Sequence, residues 1–146
     1  MVIREISLQD FFKWQRLRHL LWPYHTLEEL CKEMEEIYKR TSLDYMFYVA
    51  EDNEDILGFI EISIRETALG CKTNNVGFIE GLYVIEEVRK KGIGKLLIEK
   101  GESWAFEKGC KEMASDTNER YPISPIVHKL LGYEEVDSPF NFKKYL

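Results

Sequence analysis

Cysteine is scarce in this chain. Its 146 residues hold three, Cys31, Cys71 and Cys110, odd in number and widely spaced. That leaves no disulfide framework and no metal-ligand spacing, and the three read as free thiols in a reducing compartment, Cys31 on an apolar helical stripe. No apolar run approaches the roughly 18 residues of a membrane span, and the first residues carry no signal-peptide pattern. The expectation is a cytoplasmic protein with no membrane partner. Cations are outnumbered, 20 Lys and Arg against 26 Asp and Glu, for a net charge of −6. Nucleic acid is a poor partner for such a surface. No internal repeat, linker or low-complexity tract divides the chain, and no Ser-His-Asp order stands out. With 45% hydrophobic and 32% charged residues, residues 1–146 read as one globular domain with a core of its own.

What is present centres on residues 78–98. Residues 78–85 are β-branched and aromatic, as in a buried strand. Val88-Arg89-Lys90-Lys91-Gly92-Ile93-Gly94 breaks that pattern. A helical stripe follows at 93, 96, 97, 101, 104 and 105. Two glycines beside three cations at a helix start suit an anion, because glycine admits a ligand to the backbone N–H groups and the helix dipole adds positive potential. The same residues also suit a plain solvated turn. Glu80 weighs against that reading. Period two places it with Phe78, Leu82 and Val84 on one strand face, where a carboxylate is costly without a partner or a use. Gly81 beside it predicts a bulge or a close approach of a ligand.

The other elements read as follows. A strand covers residues 2–6. Ser7 with Asp10 resembles a capping box opening a helix to about residue 21. Trp22-Pro23-Tyr24-His25 interrupts. Thr26 with Glu29 caps a second helix, apolar at Leu27, Leu30, Cys31, Met34, Ile37 and Tyr38. Its acidic residues Glu28, Glu29, Glu33, Glu35 and Glu36 read mostly as solvated surface. Residues 45–50 and 56–65 form a hairpin. Gly109 stops the central helix, residues 111–114 form a strand ending at Ser115-Asp116, and Ser124 and Pro125 are the N-cap and first residue of a short helix ending at Gly132. Strands at 133–136 and 140–145 close the chain.

Arg89-x-x-Gly92-x-Gly94 after an apolar strand resembles the acetyl-CoA motif of the GNAT acetyltransferases, Arg/Gln-x-x-Gly-x-Gly/Ala. The resemblance runs over nearly the whole chain and narrows to the aminoglycoside 6'-N-acetyltransferases. It is carried by Leu21-Trp22-Pro23-x-His25, Ser63-Ile64-Arg65, Phe78-Ile79-Glu80-Gly81, Gly109-Cys110-x-Glu112-Met113-Ala114-Ser115-Asp116-Thr117 and Val127-His128-Lys129-x-Leu131-Gly132-Tyr133-Glu134-Glu135. It implies the α/β (α+β) GNAT fold, a mixed and mostly antiparallel sheet flanked by helices.

It also implies a chemistry, acyl transfer from acetyl-CoA to a cationic small-molecule amine. The cofactor grip would comprise Arg89, Lys90, Lys91, Gly92, Ile93, Gly94 and Lys95, acting mainly through backbone N–H groups. Leu82, Tyr83 and Val84 would line the cofactor arm, with the Leu82 N–H polarising the thioester carbonyl. Tyr121 stands where many relatives have an Asn near the cofactor. For the base there are two candidates, Glu80 and Asp116, on adjacent strand ends; Asp116 alternatively binds the substrate ammonium. Trp22, His25 and Asp137 would contact the acceptor with them. His128 reads as a satisfied structural histidine. A two-fold homodimer through the C-terminal strands, with Phe140, Phe142 and Tyr145, completes the expectation. Against the aminoglycoside reading stand a GNAT enzyme for another small amine, such as a polyamine or amino sugar, and a non-catalytic acyl-CoA-binding or antibiotic-sequestering protein. The departures, Thr67-Ala68-Leu69 in place of an aromatic and prolines at 122 and 125, fall on the acceptor side.

Overall fold

The computed structural model describes residues 1–136 and 138–146. The elements come in the expected order: β1 (Val2–Glu5), α1 (Phe11–Leu21), α2 (Leu27–Tyr38), β2 (Tyr45–Asp52), β3 (Asp55–Arg65), β4 (Val76–Val84), α3 (Ile93–Glu107), β5 (Glu112–Asp116), α4 (Ser124–Leu130), β6 (Glu134–Glu135) and β7 (Asn141–Tyr145). The seven strands form one sheet in the order β1-β2-β3-β4-β5-β7-β6. Every junction is antiparallel except β4 with β5.

Alternation along the strands separates two cores. Met46, Tyr48, Ile60 and Ile62 pack on one side with Leu97, Trp104 and Ala105 of α3. Phe47, Val49 and Phe59 pack on the other with Trp14 and Leu17 of α1 and Met34 of α2. The buried stripe of α3 is Ile93, Leu97, Ile98, Gly101, Trp104 and Ala105. Leu96, expected on that stripe, is exposed, and Ile98 takes its place. Both capping boxes form, at Ser7 with Asp10 and at Thr26 with Glu29. Gly109 ends the central helix with φ 92°, a left-handed conformation that favours glycine. Two local expectations are corrected. The α4 helix begins one residue early, with Ile123 at the N-cap position and Ser124 inside, because the Ser124 hydroxyl turns to His128 instead of capping. Cys31 is only partly covered and lies with Sγ 3.8 Å from a Glu35 carboxylate oxygen, at the rim of the α2 stripe.

The decisive irregularity is in β4. Glu61 of β3 pairs with Gly81, but Ile62 pairs with Ile79. Glu80 is therefore an extra residue, a β-bulge. The bulge reverses the side-chain phase. Phe78 and Glu80 face the α1/α2 side, as do Tyr83 and Ile85, whereas Ile79, Leu82 and Val84 pack toward α3. The single face of Phe78, Glu80, Leu82 and Val84 expected from period two does not exist, because one inserted residue moves everything after it to the opposite side.

The second irregularity is a fork. The β5 strand pairs with β4 only from Gly77–Met113 to Ile79–Ser115. Beyond that point β4 continues along β3 to Val84, and β5 continues along β7. Among the described residues, the edge of β4 from residue 80 onward has no strand partner on the β5 side, and the two strands part at Glu80 and Asp116.

Candidate active site

On the α1/α2 side of the sheet lies a cavity of about 370 Å³. Its walls include Trp22, Tyr24 and His25 of the α1–α2 loop, Glu29 and Glu33 of α2, and Glu61 and Glu80 of the sheet. The loop exists because α1 cannot continue: a residue before proline is driven out of helical geometry, and Trp22 leaves it with φ −122° and ψ 68°. The indole then crosses the β4 bulge. A Cβ on Gly81 would stand 2.7 Å from Trp22 Cη2, so Gly81 is small to admit this ring. Three sequence-predicted acceptor residues, Trp22, His25 and Glu80, thus share one cavity.

The bulge aims Glu80 at two β3 side chains. Its Oε2 accepts from Ser63 Oγ at 2.5 Å and Arg65 Nε at 2.9 Å, and its Oε1 accepts from Arg65 Nη2 at 2.7 Å. The Arg65 guanidinium lies over the Phe78 ring at 3.5 Å, which fixes its plane. Glu80 is an anchored anion with both oxygens engaged. Asp116 follows the last β4–β5 pair and, by strand alternation from Ser115, faces the same side as Glu80. Among the described residues its carboxylate makes no side-chain hydrogen bond. Partial withdrawal from water raises its pKa from the ordinary aspartate value although the residue keeps an exposed edge, with Arg65 pulling it down and the negative charge of Glu80 adding to the rise. Asp116 thus has lone pairs free of other side chains, whereas both oxygens of Glu80 are already engaged.

On the α3 side, Gly92 is the N-cap, with φ 88° in the left-handed region, and Lys90 before it has φ 65°. The Leu96 N–H is the first to bond back, to the Gly92 carbonyl, so the N–H groups of Ile93, Gly94 and Lys95 have no partner within the helix. A Cβ on Gly94 would meet only Val84 Cγ2, at 3.8 Å, so the space before these N–H groups is open. This is a fit for a diphosphate. The side chains contribute less than the motif suggests. Arg89 turns back to donate to the Val84 carbonyl at 2.7 Å and lies over the Tyr83 ring at 5.1 Å. The Ile93 side chain is buried in the core, leaving only its backbone for a ligand. Lys90, Lys91 and Lys95 are exposed, and Lys95 stands 3.9 Å from Glu99.

Tyr121 lies on the acceptor side: its hydroxyl donates to the Leu21 carbonyl at 2.6 Å, and burial pushes it up to about 12. Asp137 is outside the described residues. His128 is satisfied at both nitrogens. With Nδ1 donating to the Ser124 carbonyl at 2.8 Å, Nε2 accepts from Ser115 Oγ at 2.7 Å, and the ring stacks on Phe142 at 4.4 Å. Burial lowers its pKa, in keeping with a neutral imidazole. Among the described residues no group of acids, histidines or cysteines is placed to hold a metal, and no helix is long and apolar enough to cross a membrane.

Sequence reasoning missed the charges under the cavity. Glu61 accepts from Trp14 Nε1 at 2.9 Å and from Arg18 Nε at 2.7 Å, and Arg18 also reaches Glu33. Two signals were present. Trp14, Arg18 and Trp22 recur every four residues on one helix face, and Glu61 interrupts an apolar strand as Glu80 does. Glu29 and Glu33, read as solvated surface, line the cavity.

Comparison with known proteins places the geometry in context. The sequence pattern of the Acetyltransferase (GNAT) family matches residues 14–133. The chain is 35% identical over 145 residues to the aminoglycoside N(6')-acetyltransferase type 1 of Salmonella typhimurium, covering 99% of each. It is 36% identical over 148 residues to the enzyme of the same name from Klebsiella aerogenes, covering 99% of this chain and 97% of that one. Its fold is similar to AAC(6')-Iy, solved with the bisubstrate analogue CoA-S-monomethyl-acetylneamine, with a TM-score of 0.87 at 35% identity over 94% of this chain and 92% of that one. It is also similar to AAC(6')-IG of Acinetobacter haemolyticus, with a TM-score of 0.88 at 30% identity and 94% coverage of both.

Proposed function

The chain belongs to the GNAT acetyltransferase family, and from that premise we propose that it transfers the acetyl group of acetyl-CoA to the 6'-amine of aminoglycoside antibiotics, as its relatives' names indicate for them. The carrying observation is the fork. The carboxylate-lined cavity lies on one face of the sheet and the unpaired N–H groups of α3 on the other, and the pairing of β4 with β5 ends between them, just before Glu80 and Asp116. A cationic amine and a diphosphate-bearing donor can therefore meet at Glu80 and Asp116 without sharing a pocket.

Acetyl-CoA is the co-substrate and supplies an activated thioester acyl group. The N–H groups of Gly94 and its neighbours hold its diphosphate, and the open edge of β4, with Leu82 and Val84, aligns its arm. A Leu82 N–H directed at the thioester oxygen stabilises charge as it develops there. Trp22 gives the sugar rings an aromatic face and His25 a hydrogen-bonding partner. Glu80, fixed by Arg65 and Ser63, holds the reacting ammonium, and Asp116 takes its proton so that nitrogen can attack the thioester carbonyl; the C–S bond then breaks and CoA leaves as a thiolate that takes up a proton from solvent. Asp137 adds a further carboxylate. The protein acts in the cytoplasm as a homodimer. Phe142 is buried in the chain's own core, which leaves Tyr145 and the β6 edge for the two-fold contact. Light scattering at micromolar protein should give twice the chain mass; a monomer mass removes this part of the reading.

The testing experiment is thiol release with paired 6'-amino and 6'-hydroxy aminoglycosides at low and high salt. The 6'-amino compounds should be acetylated, with KM rising with salt because the contacts are ionic. The 6'-hydroxy compounds should compete but turn over poorly, since a neutral hydroxyl is the weaker nucleophile. Equal rates for both, or no acceleration over hydrolysis, would transfer the assignment to another small amine.

A further inference from the structure

The cavity rests on a buried cation that the reaction does not use. Arg18 of α1 is 1% exposed and Glu61 of β3 is 1% exposed. Arg18 donates to Glu61 through Nε at 2.7 Å and Nη2 at 3.2 Å, to the Leu30 carbonyl of α2 through Nη1 at 3.2 Å, and to Glu33 of α2 through Nη2. The face of the guanidinium lies 4.8 Å from the Trp22 ring. One planar group thus binds the sheet, α2 and the loop wall together. Glu33 is largely exposed to the cavity on its other side. A carboxylate on a flexible stem and an indole in an irregular loop are both mobile unless held.

We propose that Arg18 is a positioning residue for the acceptor: it locks the Trp22 ring plane and the Glu33 carboxylate into the cavity wall and thereby sets acceptor affinity without acting on acetyl-CoA. This rests on the reading of the cavity as the acceptor site. The role needs a plane and a fork as well as a charge. Lysine keeps the charge opposite Glu61 but cannot stack on Trp22 while bonding Glu61, Leu30 and Glu33 at once.

The experiment uses Arg18→Lys and, because a lone Arg18→Met would leave Glu61 buried and uncompensated, the double variant Arg18→Met with Glu61→Gln. Circular dichroism melts establish that each is folded. For a 6'-amino aminoglycoside, both should raise KM by about ten-fold or more, the scale of a lost cation–π contact and misplaced ion pair. The KM for acetyl-CoA and kcat at saturation should stay within two-fold. If Arg18 were only a structural charge, lysine would restore wild-type KM. A second readout needs no acceptor. Fluorotryptophan-labelled protein gives one fluorine resonance for each of its three tryptophans, and Trp22→Phe assigns that of Trp22. Arg18→Lys should shift or broaden it. An unmoved Trp22 resonance, an acceptor KM unchanged in folded variants, or an equal rise in both KM values overturns the proposal. Wild-type acetylation of the same acceptor, measured first, tests the functional reading separately, and the resonance decides for Arg18 whichever way that falls.

Discussion

Replacing Gly94 with aspartate should abolish acetyl-CoA binding while leaving the chain folded. A Cβ at position 94 meets Val84 at 3.8 Å, an ordinary contact, so the backbone has no reason to move. The added carboxylate, however, would sit among the unpaired N–H groups at the start of α3. It would take their hydrogen bonds itself and repel the diphosphate. Loss of a helix N-terminus contact reaches ~2 kcal/mol and like-charge juxtaposition adds several more, so affinity should fall by at least about 100-fold. Gly92 is different in kind. Nothing lies within 4 Å of its Cβ position, but its φ of 88° strains any side chain, so Gly92→Ala should cost stability of about 1 kcal/mol and disturb the turn. Lys90→Ala and Lys91→Ala should weaken binding far less, because exposed cations are screened. Calorimetric titration with CoA decides it: an unchanged Kd for Gly94→Asp would remove α3 from the site.

The next largest effect is expected at Asp116, where the sign of the pH response separates two bases. The raised pKa of Asp116 means that it loses its proton at a higher pH than an ordinary aspartate. The acidic limb of kcat/KM should therefore lie at higher pH than an unperturbed aspartate would give, with activity falling as pH drops through it. Asp116→Asn should remove the limb and lower kcat by about 100-fold or more, the usual scale for a positioned base. Glu80→Gln should keep the limb and move it to lower pH. The substitution removes a negative charge that raises the Asp116 pKa and frees the positive Arg65 to lower it further. If Glu80→Gln instead erases the limb and Asp116→Asn leaves it in place, Glu80 is the base. Acetyl-CoA affinity should stay near wild type in both.

Much of this was legible in the residues because it is local. Capping boxes at Ser7 and Thr26 need only four consecutive residues; the Thr26 box caps α2 as read, whereas the Ser7 box opens a short 3-10 turn, Leu8–Asp10, that leads into α1. The glycine turn before Ile93 needs only backbone freedom at two positions. The stripe of α3 was read nearly right, with Leu96 and Ile98 exchanged, since periodicity fixes a helix face to within one neighbour and packing against β3 sets the final rotation.

Tertiary structure decided what periodicity could not. Gly81 signalled a bulge, but the phase of β4 depends on which β3 residues oppose it. Only the shift from Ile62–Ile79 to Glu61–Gly81 sends Glu80 to Arg65 and Leu82 to α3. Glu29 and Glu33 were read mostly as surface because a helix alone does not reveal what faces its polar side; the sheet carboxylates across the cavity do. Arg18 and Glu61, 43 residues apart, become a buried pair only when α1 is laid on β3. The sequence by itself determined the order of the elements, the glycine turn before α3 and the carboxylate that ends β5, because each rests on contacts between near neighbours; Glu80, expected at a strand end, lies instead within β4 at its bulge. The bulge register, the fork between β4 and β5 and the charge beneath the cavity came from the tertiary structure alone, because each is a relation between strands or helices whose pairing no single segment encodes.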